Sequence, residues 1–260
     1  MSQPAFYSNL APYYDLIYSK KNYEKEASQL KRLIAWYKRS PGNSLLDVAC
    51  GTGRHLSLFK NEFSCTGVDI SKEMLKIARQ NIPEIAFKQA DMTKLNLKQK
   101  FDIITCLFSS IGYLRTESNL KEALLNFSKH LNPGGVVIIE PWLPAPCFRL
   151  SAPWTTKYEG KNIKIVRKCT PETENGFSIL NMDFTVEKNG KVQTYNDKHI
   201  LGFFSAEKTL TFMCNAGLEA IFLSRGLCRD SKGLFVGIKP GGERTWQNFV
   251  DYIKSLISYT

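Results

Sequence analysis

Short, nearly continuous apolar runs alternate with amphipathic stretches along the first 140 residues. The apolar runs predict buried strands at 44–49, 65–69, 85–90, 101–107 and 136–140. The stretches between them repeat apolar side chains every three or four residues, which predicts helices at 24–38, 54–61, 71–79 and 117–130. Strands that are apolar on both faces and alternate with helices indicate a parallel sheet covered by helices on both sides.

The pattern changes after residue 141, where proline and glycine separate shorter alternating runs. The runs at 163–167, 179–184 and 198–203 predict antiparallel strands. A helix at 206–216 and strands at 220–224 and 234–238 then resume the earlier style, and the tail 244–259 has the spacing of an amphipathic helix. The fold class is therefore predicted as α/β, with a doubly wound, mostly parallel seven-stranded sheet and an antiparallel β insertion after the fifth strand.

This reading divides the chain into four parts. Residues 1–40 are expected to form an N-terminal lid and helix, and 41–142 with 205–240 a Rossmann-like core that binds the cofactor. Residues 143–204 are expected to form an antiparallel insertion for substrate binding and dimerisation, followed by a C-terminal helix at 241–260. Antiparallel strands in the insertion offer a dimer surface, so a homodimer is predicted.

Composition changes this picture little. The formal net charge is +11, but the lysines are spread along the chain, which favours a solvated surface over a nucleic-acid groove. A substrate with phosphates would also be attracted by a positive field. Seven cysteines without a C-x-x-C pair suggest no zinc or other metal site, and the odd count favours a reducing compartment. No signal peptide and no run of eighteen apolar residues is recognisable, so a cytoplasmic protein without a membrane span is expected.

Candidate chemistry starts at the end of the first strand, in Asp47-Val-Ala-Cys-Gly-Thr-Gly53. Gly51 and Gly53 let the backbone turn tightly beside a ligand. Asp69 ends the second strand, where a carboxylate can accept both hydroxyls of a ribose, and Asp91 with Met92 closes the third strand beside an adenine. A dinucleotide is disfavoured because Leu56 stands where the third glycine of G-x-G-x-x-G belongs.

The D-x-x-x-G-x-G turn, the acid of the second strand and the Asp-Met pair together resemble the class I methyltransferases. One departure is Ala49, which stands where those proteins carry their first glycine. The resemblance implies S-adenosylmethionine as cofactor. Its contacts would come from the turn, the strand ends and two tyrosines of the N-terminal segment: Tyr14, Tyr18, Ala49, Gly51, Gly53, Asp69, Asp91, Met92 and Leu107.

A narrower resemblance extends from about residue 7 to residue 239. Over this range the chain is similar to the N,N-dimethyltransferases of dTDP-linked 3-amino-3,6-dideoxyhexoses, of the desosamine and mycaminose type. The segments that carry it are Tyr14-Asp15-Leu16, Leu45–Gly53, Phe108-Ser-Ser-Ile-Gly-Tyr-Leu114, Pro133–Val137, Glu140-Pro-Trp142 and Gly233-Leu-Phe-Val-Gly237. The resemblance implies in-line transfer of a methyl group to the amine of a nucleotide-linked sugar.

The same resemblance implies roles near that sugar. Tyr7 and Tyr113 match positions close to it, although either tyrosine can instead be a packing residue, Tyr7 more readily than Tyr113. His199 matches a histidine of the family's insertion, which either contacts the sugar or simply joins strands. Arg167 matches an arginine that can reach a diphosphate, and Lys232 stands where the family carries arginine. Ser109 and Ser110 follow the fourth strand, whose end faces the sulfonium methyl.

Other functions stay open from sequence. A methyltransferase of another small metabolite, acting on nitrogen or oxygen, fits the core equally well. An RNA-modifying enzyme is less favoured because residues 107–110 lack the Asn/Asp-Pro-Pro-Tyr/Phe motif of nucleobase amine methylation. A binding protein without catalysis is the last alternative, disfavoured by the intact glycine turn.

Overall fold

A computed structural model describes residues 4–142, 152–229 and 232–241. Within them the strands are β1 (Ser44–Val48), β2 (Ser64–Asp69), β3 (Ala86–Gln89), β4 (Phe101–Cys106), β5 (Leu131–Ile139), β6 (Trp154–Gly160), β7 (Ile163–Glu174), β8 (Phe177–Lys188), β9 (Lys191–Gly202), β10 (Glu219–Leu223) and β11 (Leu234–Ile238). The α-helices are α1 (Tyr14–Ile17), α2 (Tyr23–Tyr37), α3 (Arg54–Phe59), α4 (Lys72–Asn81), α5 (Glu117–His130) and α6 (Ala206–Asn215). The predicted C-terminal helix lies outside the described residues.

The larger sheet has seven strands in the order β10-β11-β5-β4-β1-β2-β3. The pairs β1–β2, β1–β4, β2–β3 and β4–β5 are parallel, whereas β11 is antiparallel to both of its neighbours. Strand order reverses between β1 and β4, which is the point where open α/β sheets bind ligands beyond the carboxyl ends of their strands. The predicted fold class is confirmed, with the insertion after the fifth strand.

The continuous apolar strands reflect burial on two faces. Leu45 and Ile103 point to a core shared with α2, α3 and α4, which contains Leu30 and Phe59. Their chain neighbours, exemplified by Leu46, point to a second core under α5 and α6. Successive side chains of a strand lie on opposite faces, so neither face can be polar here.

Four helices begin where the sequence offers a side-chain cap. Asn22, Ser71, Thr116 and Ser205 each accept a hydrogen bond from the backbone N–H three residues later. The predicted helices agree with the observed ones to within two residues at each end. In the described part of the chain, no helix combines the length and apolarity needed to cross a bilayer.

The insertion forms a separate antiparallel sheet in the order β6-β7-β8-β9. Its strands are longer than the predicted runs, and β6 was not predicted. Two Asn-Gly turns, Asn175-Gly176 and Asn189-Gly190, have positive φ at both residues and connect twelve-residue strands without a register shift. Lysine, threonine and glutamate on the outer face hide much of this length from a hydrophobicity pattern.

The N-terminal segment packs onto the inner face of this small sheet. Phe6, Leu10 and Tyr14 share a third apolar core with Ile165 and Phe184. The Phe6 and Phe184 rings stack with centroids 5.3 Å apart. The segment thereby closes the space between the two sheets from one side, and that space contains the candidate site.

Candidate active site

A cavity of about 730 Å³ lies at the carboxyl ends of β1, β2 and β4. This volume falls within the range of small-molecule and cofactor sites, and the place is the expected crevice of the fold. Ten of the site residues predicted from sequence line it: Tyr7, Tyr14, Ala49, Gly51, Asp69, Asp91, Met92, Leu107, Ser110 and Tyr113.

The glycine turn forms one wall of the cavity. A Cβ at Gly51, whose φ is +56°, would meet no other atom within 4 Å, so the backbone faces open space that a ligand can approach closely. Gly53 has φ +80° and opens helix α3, but a Cβ there would lie 2.9 Å from Ile82. Ala49 also has a positive φ, 58°, which alanine tolerates at an energetic cost.

Asp69 lies beside this turn at the end of β2. Its Oδ2 accepts the backbone N–H of Gly51 at 2.8 Å, and its Oδ1 accepts that of Ser71 at 2.8 Å. Each carboxylate oxygen keeps a second lone pair for a ligand hydroxyl. Burial raises the pKa of Asp69, whereas these backbone donors lower it. The open glycine backbone and the paired acceptor fit the ribose and methionine portions of S-adenosylmethionine.

Asp47 is a site residue that the sequence prediction did not include. It is the penultimate residue of β1, lines the cavity and accepts a hydrogen bond from the Thr105 hydroxyl at 2.7 Å. Burial raises the pKa of Asp47 to about 6. Its position at the start of the glycine-turn motif is the signal that sequence reasoning could have used.

A buried ionic cluster under the same end of the cavity was also missed. The carboxylate of Glu26, on α2, contacts the ammonium group of Lys21 and the Nε2 of His55, the latter at 2.9 Å. Burial raises the pKa of Glu26, but its hydrogen bonds to His55 and Lys21 outweigh this and hold it below the ordinary value. The Lys21 ammonium also lies 4.4 Å from the centre of the Phe108 ring.

The loop after β4 is held in a strained conformation. Phe108 and Ser109 both have positive φ, 54° and 60°. The buried Glu140 accepts the Phe108 N–H at 2.7 Å through its Oε2, and the Ser109 hydroxyl donates to the carbonyl of Pro141 at 2.8 Å. Ser110 caps the same turn by donating to Leu107 at 2.8 Å.

A linear set of hydrogen bonds crosses the acceptor end of the cavity. The Tyr7 and Tyr113 hydroxyls lie 2.7 Å apart, and the Tyr113 hydroxyl lies 2.5 Å from Nδ1 of His199. The opposite ring nitrogen, Nε2, lies 2.9 Å from Oδ2 of Asp197. Three residues singled out from sequence are thus brought together, and Asp197 is added. The signal was the Asp-x-His spacing, since residues two apart on a strand share a face.

The two tyrosines differ from the histidine in access. Tyr7 and Tyr113 line the cavity, while His199 is 1% exposed and lies behind Tyr113. Burial raises the pKa of both tyrosines far above the ordinary phenol value, so they are neutral hydroxyls at physiological pH. Any action of His199 on a ligand therefore passes through Tyr113.

The two predicted anion-binding residues, Arg167 and Lys232, are not among the described residues that line the cavity. Arg167 is buried, donates to the Tyr18 hydroxyl at 2.8 Å and to Thr156 at 3.1 Å, and faces the Tyr18 ring. Lys232 lies 3.3 Å from Oε1 of Glu140. Tyr18, Ser109, Gly53 and His199 are likewise not among the cavity-lining residues of the described chain.

Comparisons with known proteins agree with this geometry. The family described as "Methyltransferase domain" matches residues 45–135. A dTDP-3-amino-3,4,6-trideoxy-alpha-D-glucopyranose N,N-dimethyltransferase of Streptomyces venezuelae is 36% identical over 88% of this chain and 97% of its own length.

Two solved structures are similar over most of their length. Streptomyces venezuelae DesVI has a TM-score of 0.82 and 35% identity, covering 88% of this chain and 98% of its own. CalS10, an amino pentose methyltransferase from Micromonospora echinaspora solved with S-adenosylmethionine bound, has a TM-score of 0.76 and 27% identity, covering 84% and 92%.

The doubly wound sheet, the glycine turn and the acid of β2 define a class I, S-adenosylmethionine-dependent methyltransferase. Within that class, the chain belongs to the family of dTDP-amino-sugar N,N-dimethyltransferases. The family resemblance inferred from sequence is thereby confirmed.

Proposed function

We propose that this enzyme methylates the amino group of a nucleotide-linked amino sugar, with S-adenosylmethionine as the methyl donor. The observation that carries the proposal is a single cavity shared by the Gly51–Asp69 wall and the Tyr7–Tyr113 pair. Relatives of 32–36% identity are named as methyltransferases of dTDP-linked amino sugars, so thymidine diphosphate is the expected carrier.

S-adenosylmethionine supplies an activated sulfonium methyl group when it is bound. Asp69 would accept the ribose hydroxyls, and Asp91 with Met92 would border the adenine. The backbone of the turn from Ala49 through Gly51 to Gly53, together with Leu107, would face the rest of the cofactor. Tyr14 and Tyr18 would cover it from the N-terminal segment, where their rings lie 4.9 Å apart.

At the acceptor end the protein has to orient an amine and exclude water. Tyr7 and Tyr113 are neutral hydroxyls that can hold a neutral amine by hydrogen bonds, and alignment of the amine with the methyl group supplies most of the rate. His199 supports Tyr113 from behind. No strong base is needed, because an amine that binds without its extra proton is already the nucleophile.

The remaining predicted contacts belong to the nucleotide side. Ser109 and Ser110 stand at the strained loop between cofactor and acceptor. Arg167 and Lys232 supply positive charge on the side of Tyr18 and Glu140, toward which a diphosphate would be attracted. Lysine at 232 gives a point charge in place of the two-pronged contact of arginine.

We also infer the division of labour within the chain. Residues 41–142 and 205–240 serve the cofactor, 143–204 serve the acceptor and dimerisation, and 1–40 cover both. Homodimer formation through β6 and β9, the edge strands of the small sheet, is favoured by the exposed Trp154 and Val192 on them. A monomer in sedimentation equilibrium at micromolar concentration would contradict it.

A cytoplasmic location is part of the same proposal. In the described part of the chain, Cys50, Cys106 and Cys169 are buried thiols without a disulfide. Unpaired cysteines persist best in a reducing compartment. Cell fractionation with an antibody against the native protein would test this location.

The test is methyl transfer from labelled S-adenosylmethionine to defined acceptor pools. One pool holds dTDP-linked 3-amino and 4-amino sugars, a second holds their hydroxyl counterparts, and a third holds bulk tRNA. Label confined to the amino sugars is expected. Label on hydroxyl sugars or tRNA, or on none of the three despite cofactor binding, would refute the proposal and favour another small metabolite.

A further inference from the structure

Asp197 joins the N-terminal segment to His199 of the small sheet. Its Oδ2 accepts the backbone N–H of Phe6 at 2.7 Å and lies 2.9 Å from Nε2 of His199. The side chains of Asp197 and His199 are 6% and 2% exposed. An ionised carboxylate accepts hydrogen bonds and donates none, so the His199 nitrogen that faces it must carry the hydrogen.

Together with a neutral imidazole, that constraint sets the direction of every bond in the row. With its hydrogen on Nε2, a neutral His199 presents a bare Nδ1, which can only accept. Tyr113 must then donate to Nδ1, and because a hydroxyl has one hydrogen, its oxygen accepts from Tyr7. The Tyr7 hydrogen is thereby directed to Tyr113, away from the cavity.

We propose that Asp197 is a positioning residue that fixes this direction, so that Tyr7 offers the acceptor a lone pair and not a hydrogen. The inference rests on the proposed function, amine methylation. An oxygen lone pair at Tyr7 binds an N–H of the amine and leaves the nitrogen lone pair pointing at the methyl group. In the reverse direction Tyr7 would donate to that lone pair and block its attack.

The primary test measures the direction without turnover. The chain has three histidines, so ¹⁵N-histidine labelling and two-bond ¹⁵N–¹H correlation resolve the ring nitrogens of His199 in the intact protein. A neutral ring protonated on Nε2 is expected. A hydrogen on Nδ1, either alone or together with Nε2, would overturn the proposal, whatever the protein methylates.

Two substitutions then distinguish the effect of the accepting oxygen of Asp197 from the effect of its charge. Asp197→Ala removes the acceptor and should leave a mixture of His199 tautomers, with kcat lower by about ten- to a hundredfold and cofactor affinity unchanged. Asp197→Asn keeps an oxygen for Phe6 and His199, so it should retain the Nε2 tautomer and most of kcat. An equal fall in both variants would mean that charge, not direction, is what matters.

A double-mutant cycle excludes a purely structural role. Tyr113→Phe cuts the row between His199 and Tyr7, so Asp197→Ala should cost nothing further in that background. If the kcat losses of Asp197→Ala and Tyr113→Phe simply multiply in the double variant, the proposal is overturned. The control is Asp183→Ala, which removes an exposed carboxylate of β8 in the same sheet and should leave kcat as it is.

Failure of the proposed function looks different. A wild-type protein that binds S-adenosylmethionine but labels no amino sugar would refute the methylation proposal itself. The tautomer of His199 is measured on the same sample and stands independently of that result.

Discussion

The cofactor site makes a quantitative prediction at Asp69. Asp69→Asn keeps the shape of the side chain but replaces one accepting oxygen with an amide group that donates. Since each carboxylate oxygen already accepts a backbone N–H, from Gly51 and from Ser71, the amide nitrogen must face one of these donors. The variant therefore loses one backbone bond and, with it, one of the two acceptors for the ribose.

Hydrogen bonds to charged groups contribute about 1.5–3 kcal/mol each, so cofactor affinity should fall by about 10- to 150-fold. The unpaired buried donor should also lower the free energy of unfolding by about 1–3 kcal/mol. Isothermal titration with S-adenosylhomocysteine measures the first effect, and chemical denaturation of the apo protein measures the second.

Asp102→Asn is the matched control because it places the same change at the opposite end of the sheet. Asp102 is buried and accepts the backbone N–H and the hydroxyl of Ser44 at 3.0 and 2.6 Å. Because Oδ2 alone accepts both Ser44 bonds, the amide oxygen can keep them, so the variant should lose little stability and bind cofactor as the wild type does. Cofactor affinity within twofold of wild type in Asp69→Asn, or equally weakened in both variants, would refute the assignment of Asp69 to the ribose.

Three further predictions concern the remaining elements of the site. Tyr113→Phe should lower kcat by about tenfold or more without changing cofactor affinity, because it removes the hydroxyl that joins Tyr7 to His199 by hydrogen bonds while the Gly51 wall is untouched; an unchanged kcat in steady-state assays would contradict this. Gly67→Ala should cost about 1–3 kcal/mol in chemical denaturation, since a Cβ there would lie 2.6 Å from the Phe87 ring and 2.9 Å from the Cys50 sulfur; unchanged stability would show that the packing can relax. Asp47→Asn should change how stability depends on pH. The folded pKa of Asp47, about 6, lies above its ordinary 3.8, so the wild type loses up to about 3 kcal/mol as pH rises through that window and the variant does not; parallel curves of unfolding free energy against pH would refute it.

The cofactor half of the molecule was largely predictable because its signals are local. A buried parallel strand is apolar throughout, its end is marked by a glycine or an acid, and the following helix begins at a capping residue such as Ser71. The positions of Gly51, Asp69 and Met92 at one edge follow from the fold alone. Here, spacing along the chain is enough to specify position in space.

The acceptor half was predictable only in part, because its contacts join distant segments. Tyr7 and His199 are brought together from opposite ends of the chain by packing of Phe6 on Phe184, which no local pattern encodes. The same packing places Arg167 beside Phe6 and Tyr18, to whose hydroxyl it donates, and its predicted contact with an anion stays a prediction. Sequence identified residue types that suit the chemistry, but not which of them face the cavity.

One short segment connects the two halves. The Ser71 hydroxyl donates to the backbone carbonyl of Tyr7 at 2.6 Å, while the N–H of the same Ser71 is bound by Asp69. One residue earlier, the N–H of Phe6 is bound by Asp197. The carboxylates of Asp69 and Asp197 are therefore joined through Ser71 and residues 6 and 7. Because both ends of this connection depend on the same two peptide units, we expect docking of the N-terminal segment to orient donor and acceptor together, as a reaction that depends on alignment requires.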